Sequence, residues 1–301
     1  MTSIINSPLT KNPNTEIEET ISVERIIEAY EEMGIDVKNN FNTLEEICII
    51  RCNQTGYRFY YPDSIFADGS FYQILQKKDK NYYPDEKWEY DYSISYIKPN
   101  QTILEVGCGE GNFLVKCKKK GANVTGIELN IDALTVAQKK GLSMHSELIQ
   151  PFSEKHKSQF DVVCAFQVLE HVYDVSDFLK DCLLCLKPGG LLIIGVPNSN
   201  PFIYRYDKYH TLNLPPHHAG LWNLHSLRKA GEEFKLSIID IAISPLEHYK
   251  DWFATQKKHL QQKNTGWKIL DWIPRPIYKF VLHLLKGKIE GKTIVAVYQK
   301  K

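Results

Sequence analysis

The feature that most constrains the fold is an alternation of apolar, β-branched runs with amphipathic stretches. The runs predict strands at 102–107, 123–128, 142–147, 160–166, 191–197, 236–243 and 292–298. Helical spacing of apolar residues predicts helices near 111–120, 131–140, 173–186 and 224–233. Strands that alternate with helices predict an α/β fold, in which a mostly parallel sheet is covered by helices on both faces.

The two ends of the chain depart from this alternation. Residues 1–20 are polar and predict a loose tail, whereas apolar residues from Val23 onward recur at helical spacing until Gly34. The segment 47–62 is β-branched and aromatic, which predicts a hairpin. We therefore predict an N-terminal appendage over 1–80 and a main domain over 81–301. Within the main domain, a Trp- and Lys-rich insertion over 245–290 interrupts the pattern.

The composition of the chain bears on which partners and which compartment to expect. The chain has 37 Lys and Arg against 36 Asp and Glu, and this balance argues against a nucleic-acid partner. The longest apolar runs are far shorter than a membrane span, and the start of the chain has no apolar signal segment. Seven irregularly spaced cysteines favour a reducing compartment over a disulfide framework. These observations predict a cytoplasmic protein without an integral membrane span.

Three glycines follow the first predicted strand of the main domain at alternate positions, Gly107, Gly109 and Gly111. Glycine permits a tight turn and a close approach of ligand to backbone, here at the carboxyl edge where open α/β sheets bind ligands. The G-x-G-x-G spacing differs from that of dinucleotide sites, and no Lys-Ser/Thr pair follows as in a phosphate-binding loop. Glu105 within the strand would repel a pyrophosphate but can anchor the loop or receive a cationic group.

Glu128 ends the next predicted strand. A carboxylate at this place can accept hydrogen bonds from the hydroxyls of a ribose. Together with the glycines and Glu105, it predicts a phosphate-free nucleoside ligand with a cationic tail.

Four segments, at 104–114, 124–130, 160–172 and 186–198, resemble the class I S-adenosylmethionine-dependent methyltransferases in that family's order. The resemblance is greatest to the branch with a Leu-Glu-His motif after the fourth strand, which includes enzymes acting on sugars, quinones and other small metabolites. It implies a Rossmann-like sheet of seven strands whose last strand is antiparallel. It also implies S-adenosylmethionine as cofactor and S-adenosylhomocysteine as product.

The resemblance assigns cofactor-binding residues. It implies that Glu128 binds the ribose and that Leu129 lies against the adenine. Tyr83 or Trp88, in the segment before the first strand, either closes over the site or packs in the core. Residues expected beside the methionine part or near the transferable methyl group are Gly107, Cys108, Gly109, Gly111, Phe166 and Gln167.

Three histidines are the catalytic candidates. His171 ends the Leu-Glu-His motif, where it either packs the turn or contacts the cofactor or acceptor. His217 and His218 follow two prolines in a loop after the fifth strand of the main domain, where they either line the acceptor pocket or hydrogen-bond the loop. A base is needed mainly when the acceptor is a hydroxyl, and histidine is the usual one. No nearby acid or Cys completes a ligand set with this pair, so the sequence predicts no metal.

The main prediction is a methyltransferase acting on a hydroxyl of a sugar, or of a precursor of a surface polysaccharide or glycolipid. The alternatives are a quinone or lipid-like acceptor and a non-catalytic S-adenosylmethionine-binding module. The glycine spacing disfavours a nicotinamide oxidoreductase. The insertion over 245–290 is expected to be an acceptor cap or a homodimer face, because helical spacing of apolar residues is first of all a packing signal, with a peripheral membrane contact as the alternative.

Overall fold

The computed structural model describes residues 5–66, 71, 75, 84–199, 213–246, 249–264, 266–285 and 288–301. Its strands are β1 (Thr15–Ser22), β2 (Glu46–Cys52), β3 (Arg58–Tyr61), β4 (Thr102–Val106), β5 (Asn123–Ile127), β6 (Ser143–His145), β7 (Phe160–Phe166), β8 (Leu186–Pro197), β9 (Gly220–Leu221), β10 (Ser237–Pro245) and β11 (Glu290–Gln299). Its α-helices are α1 (Val23–Glu32), α2 (Lys38–Phe41), α3 (Trp88–Ser93), α4 (Asn112–Lys119), α5 (Ile131–Lys139), α6 (Ile149–Lys155), α7 (Val175–Cys185), α8 (Leu224–Glu233), α9 (Tyr249–Gln262), α10 (Trp267–Trp272) and α11 (Arg275–Leu284).

Within the described residues, seven strands form the main sheet in the order β10-β11-β8-β7-β4-β5-β6. Strands β4 to β8 pair in parallel, and β11 pairs antiparallel with both β8 and β10. The predicted seven-stranded, mostly parallel α/β sheet is therefore confirmed. Because β8 and β10 each oppose β11, they run in the same direction, and their carboxyl ends lie at the same edge as those of β4, β5 and β7.

The alternation of side chains along β4 explains why helices cover both faces of the sheet. Leu104 belongs to the core cluster that includes Phe178 of α7, whereas Ile103 belongs to the cluster that includes Phe113 of α4. Successive strand residues point to opposite faces, so each apolar face requires its own layer of helices. Glu105 follows Leu104 and points to the same apolar face as Ile103, although it is an acidic residue.

The N-terminal residues form more structure than the sequence predicts. Residues 15–20 were expected in a loose tail, but Thr15–Ser22 is a strand paired antiparallel with β2. This edge strand is mostly exposed and acidic, which is typical of a protected sheet edge and gives little apolar signal in the sequence. The predicted hairpin over 47–62 is confirmed by the pairing of β2 with β3.

The N-terminal hairpin continues into a second sheet, of order β1-β2-β3-β9, which we call the N-terminal sheet. Its last strand, β9, comes from the segment that follows β8 in the chain. The two parts share a core as well as a sheet, since the Tyr57 ring lies 4.3 Å from the Trp222 ring between centroids. Residues 213–219, which precede β9 and which we call the histidine loop, are thereby attached to the N-terminal sheet.

The insertion between β10 and β11 contains α9, α10 and α11. It has a small core of its own, formed by Trp252, Phe253, Tyr278 and Leu282. In the part of the chain that the structure describes, no helix has the length and apolar character that crossing a membrane requires.

Candidate active site

The glycine loop, residues 107–111, lies between β4 and α4 at the carboxyl edge of the main sheet. Gly107 and Gly109 have positive φ angles of 68° and 52°, a region that side chains disfavour. A Cβ atom on Gly107 would also lie 2.5 Å from Cγ2 of Val168, in the segment after β7. The first glycine is therefore required by packing within the protein as well as by any ligand.

Glu128 holds this loop in place. Its Oε2 accepts a hydrogen bond from the Gly109 amide at 2.7 Å, and its Oε1 accepts one from the Asn130 amide at 2.8 Å. Each carboxylate oxygen has a second lone pair, so the predicted bonds to ribose hydroxyls remain possible beside these. The loop-holding role was missed from the sequence.

Glu105 lies beneath the glycine loop with 1% of its surface exposed. Its Oε2 is buried and has no hydrogen-bond partner among the described residues. Burial raises the pKa of this carboxyl well above its usual range; Lys87 opposes the effect and Glu128 adds to it. A buried acid of this kind is suited to a cationic ligand group, which would favour its charged form.

Two predicted cofactor residues direct their side chains into the core. Cys108 is 4% exposed, and burial raises the pKa of its thiol. The Phe166 ring packs against the Phe113 ring at a centroid distance of 4.9 Å. Only the main chain of these two residues is therefore available to a ligand at the sheet edge.

Gln167 and Leu129 occupy positions open to a ligand. Gln167 has a positive φ of 57°, a strained conformation that is common at functional sites, and its side-chain amide donates to Glu89 at 3.4 Å. Leu129 is 56% exposed directly after Glu128, where the resemblance expects the adenine. Tyr83 lies outside the described residues.

The three catalytic candidates meet although 46 residues separate the two segments that carry them. The centroid of the His171 ring lies 4.6 Å from that of His217 and 4.9 Å from that of His218. The rings of His217 and His218 stack at 4.7 Å. We call these three residues the histidine cluster. It lies where the Leu-Glu-His turn after β7 meets the histidine loop after β8.

Two hydrogen bonds join the turn to the loop. His171 Nδ1 lies 2.7 Å from the carbonyl oxygen of His217, and the Ala219 amide donates to the Glu170 carbonyl oxygen at 2.7 Å. A carbonyl only accepts, so Nδ1 of His171 carries the proton and Nε2 carries the lone pair. The contact thus fixes the tautomer of His171.

Desolvation also sets the charge of the two ionisable side chains in this turn. Desolvation lowers the pKa of His171 to about 4, although its bond to the His217 carbonyl opposes this. Desolvation likewise raises the pKa of Glu170 to about 8. Around neutral pH, His171 is therefore uncharged.

The N-terminal sheet and α1 hold the histidine loop from the other side. The Tyr30 hydroxyl donates to the Leu214 carbonyl and the Tyr60 hydroxyl to the Asn213 carbonyl, each at 2.9 Å. The Tyr60 amide also donates to the Ala219 carbonyl at 3.0 Å. These tyrosines were missed, because nothing in their local sequence connects them to a loop more than 150 residues away.

The structure also brings together three groups that could bind a metal ion. Among the described residues, the nitrogen atoms that His171, His217 and His218 can offer to a metal all lie within 4.8 Å of one another. The sequence argument found no nearby acid or Cys to complete a ligand set with the adjacent pair. The fold instead brings a third imidazole, that of His171, beside the pair.

Comparisons with known proteins place the glycine loop and the Leu-Glu-His turn within a shared domain. A family model described as a methyltransferase domain matches residues 76–241. A ubiquinone biosynthesis O-methyltransferase of Pseudomonas paraeruginosa is 33% identical over 172 residues, which cover 50% of this chain and 72% of the relative. The protein of the same name in Pseudomonas syringae is 34% identical over 170 residues, with 49% and 71% covered.

A solved structure shows the same fold. The SAM-dependent methyltransferase from Archaeoglobus fulgidus matches 76% of this chain and all of its own length, with a TM-score of 0.55 and 15% sequence identity.

Proposed function

The chain belongs to the class I S-adenosylmethionine-dependent methyltransferases, and we propose that it methylates a phenolic hydroxyl of a quinone precursor or a similar lipid-like acceptor. The name of its relatives, ubiquinone biosynthesis O-methyltransferase, supports this acceptor over the sugar hydroxyl that the sequence predicted. Methyl transfer forms an O–C bond as the S–C bond breaks, and the hydroxyl gives up its proton.

The residues at the glycine loop fit the cofactor. When bound, S-adenosylmethionine supplies an electrophilic methyl group on a positively charged sulfur. The buried Oε2 of Glu105, which has no partner among the described residues, can face a cationic group of this ligand. In this proposal, Gly107 and Gly109 allow the close approach of the methionine part, Glu128 binds the ribose and Leu129 covers the adenine.

One observation carries the acceptor side of the proposal: the hydrogen bond between His171 Nδ1 and the His217 carbonyl. It joins the segments after β7 and β8 at the ligand edge and leaves the lone pair on Nε2. A hydroxyl that loses its proton during methyl transfer requires a proton acceptor such as this nitrogen, or an electrophile, beside its oxygen. The histidine cluster is thus the place proposed for the acceptor oxygen.

The insertion supports an acceptor presented at a membrane surface. On α11, Tyr278 and Leu282 face the insertion core, yet Ile277, Phe280 and Leu284 form a second, exposed apolar stripe at helical spacing. Residues 249–288 carry nine Lys and Arg against two Asp. Exposed apolar and basic groups together favour anionic lipid. A homodimer through this stripe is the competing proposal.

Transfer of labelled methyl groups to a panel of acceptors tests the proposal. We expect methylation of catechol-type phenols with an isoprenoid tail and none of sugar nucleotides, with the new methyl group on oxygen by mass spectrometry. Methylation of the sugars alone would refute the acceptor class and leave the cofactor assignment intact. Calorimetry of Gly109→Arg tests the cofactor separately, because normal binding of S-adenosylmethionine to this variant would refute the loop assignment.

Membrane contact is tested by sedimentation with vesicles. We expect binding to vesicles rich in phosphatidylglycerol, weaker binding to phosphatidylcholine, and loss of binding in Phe280→Glu. A Phe280→Glu variant that binds as the parent does, or a parent that forms dimers through this stripe, would refute the contact.

A further inference from the structure

The histidine cluster has the composition of a metal site. Its three imidazoles come from two segments of the chain, and their candidate ligand atoms lie within 4.8 Å of one another. Three histidines with an open fourth position form a common catalytic site for zinc. Ligand sets of imidazole nitrogen suit zinc, cobalt, nickel, copper and iron better than magnesium or calcium, which prefer oxygen.

The surroundings of the cluster orient its ligands. Metal-binding histidines usually donate their second ring N–H to a carbonyl or carboxylate, which fixes the tautomer and the ring orientation. His171 has such a contact, from Nδ1 to the His217 carbonyl at 2.7 Å, so that Nε2 is its ligand atom. Tyr30 holds the backbone of the same loop through the carbonyl of Leu214. The orientation of the His171 ring and the position of the loop backbone are therefore set before any ion binds.

Glu170 provides an independent indication of a cation. It is 1% exposed, and its Oε1 lies 3.7 Å from His171 Nε2. Its Oε2 is buried without a hydrogen-bond partner among the residues that the structure describes. A buried carboxyl with an unsatisfied oxygen is costly unless a donor or a positive ion approaches it. An ion bound by the imidazoles would supply that partner.

We propose that His171, His217 and His218 bind a divalent transition-metal ion of the zinc class, with Glu170 as a fourth ligand or as its neighbour. The metal site is inferred from the cluster and its surroundings, independently of the proposed function. Its role in the reaction rests on the proposed function.

In that role, the acceptor hydroxyl would take a further coordination position, the fourth beside the three imidazoles or the fifth where Glu170 is also a ligand. A metal ion lowers the pKa of an oxygen that it binds, so the hydroxyl releases its proton to water on binding. The resulting oxygen anion attacks the methyl carbon, the O–C bond forms, and the S–C bond breaks with its electron pair left on sulfur. The sulfonium becomes a neutral thioether and the oxygen anion becomes a neutral ether, so the transfer needs no further reactant.

Metal binding to the full chain provides the first test. After dialysis against a chelator, titration with Zn²⁺ is expected to show one site per chain by calorimetry. Co²⁺ is expected to give visible absorption bands of a four- or five-coordinate ion. His217→Ala and His218→Ala should each weaken binding by about 100-fold or more, and Glu170→Gln by about 10- to 100-fold if the carboxyl acts from outside the ligand set.

His225→Ala is the matched control, since His225 is exposed and not part of the cluster. Circular dichroism and urea unfolding establish that each variant is folded. A folded parent that binds neither Zn²⁺ nor Co²⁺ would overturn the site, as would equal binding by His217→Ala and His225→Ala.

Methyl transfer with and without metal provides the second test. Loss of phenol methylation in the chelated protein, with recovery on adding Zn²⁺ or Co²⁺, is the expected result. Stoichiometric metal binding together with metal-independent phenol methylation would refute the catalytic role while the site stands. Absence of phenol methylation under all conditions would instead refute the proposed function, and calorimetry would still decide the metal site.

Discussion

Replacement of Gly107 by alanine tests whether the glycine loop is built by packing against the segment after β7. Gly107 has a φ of 68°, and a left-handed backbone costs a residue with a Cβ about 1–2 kcal/mol. The new Cβ would lie 2.5 Å from Val168 Cγ2, and overpacking of this kind costs about 1–3 kcal/mol. Because the two effects are separate, Gly107→Ala is expected to lower the free energy of unfolding by about 2–5 kcal/mol.

Urea unfolding followed by circular dichroism measures this change, and Gly189→Ala is its control. Gly189 has a φ of 75°, but a Cβ there would have no atom within 4 Å. We expect this control to show only the conformational cost of about 1–2 kcal/mol. Val168→Ala should recover about 1–3 kcal/mol of the Gly107→Ala loss in a double-mutant cycle, because it removes the crowding atom.

The reasoning fails if Gly107→Ala is no more destabilising than Gly189→Ala, or if Val168→Ala recovers nothing. Either result would mean that the residues after β7 do not pack against the glycine loop. The loop would then owe its glycine to the left-handed backbone conformation and to the ligand, and not to packing against Val168.

Three further measurements follow from burial and capping. Burial raises the pKa of Glu105, so its native state retains a proton that the unfolded state releases above about pH 4.5. The free energy of unfolding that this group contributes is therefore lost as pH rises above 4.5. In the parent, the urea concentration at the unfolding midpoint should fall between pH 5 and 8, and in Glu105→Gln this fall should be smaller. Trp252 is 2% exposed, so Trp252→Ala should lower the free energy of unfolding by about 3–5 kcal/mol and make the insertion accessible to protease. Trp272 is 87% exposed, so Trp272→Ala, the control, should change the free energy of unfolding by less than about 0.5 kcal/mol. Asn223→Ala should cost about 1 kcal/mol in thermal unfolding, since Asn223 forms a capping box with Ser226 at the start of α8.

The main sheet was predictable because its signals are local. Strands β4 and β7 are short apolar runs, helical stretches follow them in the chain, and β7 and α8 were predicted with the bounds observed. The glycine loop follows from the same pattern, since its residues lie within one strand–turn–helix unit. The edge strand β1 was missed because an exposed, acidic strand has no apolar alternation.

The histidine cluster was only half predictable. The sequence marks the adjacent pair by its position after two prolines and marks His171 by its motif. It does not show that the two segments touch, since the contact depends on β7 and β8 being neighbours in the sheet and on two backbone hydrogen bonds. The sequence argument against a metal did not consider His171, because the third imidazole is near the pair in space and distant from it in the chain.

The N-terminal sheet changes how the acceptor side of this site should be understood. The family model begins at residue 76, so α1, β2 and β3 lie outside the shared methyltransferase domain. Yet Tyr30 and Tyr60 hold the carbonyl groups of the histidine loop, and β3 pairs with β9 directly after it. The cofactor loop depends on residues of the shared domain, whereas the position of His217 and His218 depends on residues outside the part of the chain that the family model matches. Relatives without an equivalent N-terminal sheet would therefore have to hold this loop by other contacts, and a change in these contacts would alter the acceptor site while the cofactor site stayed the same.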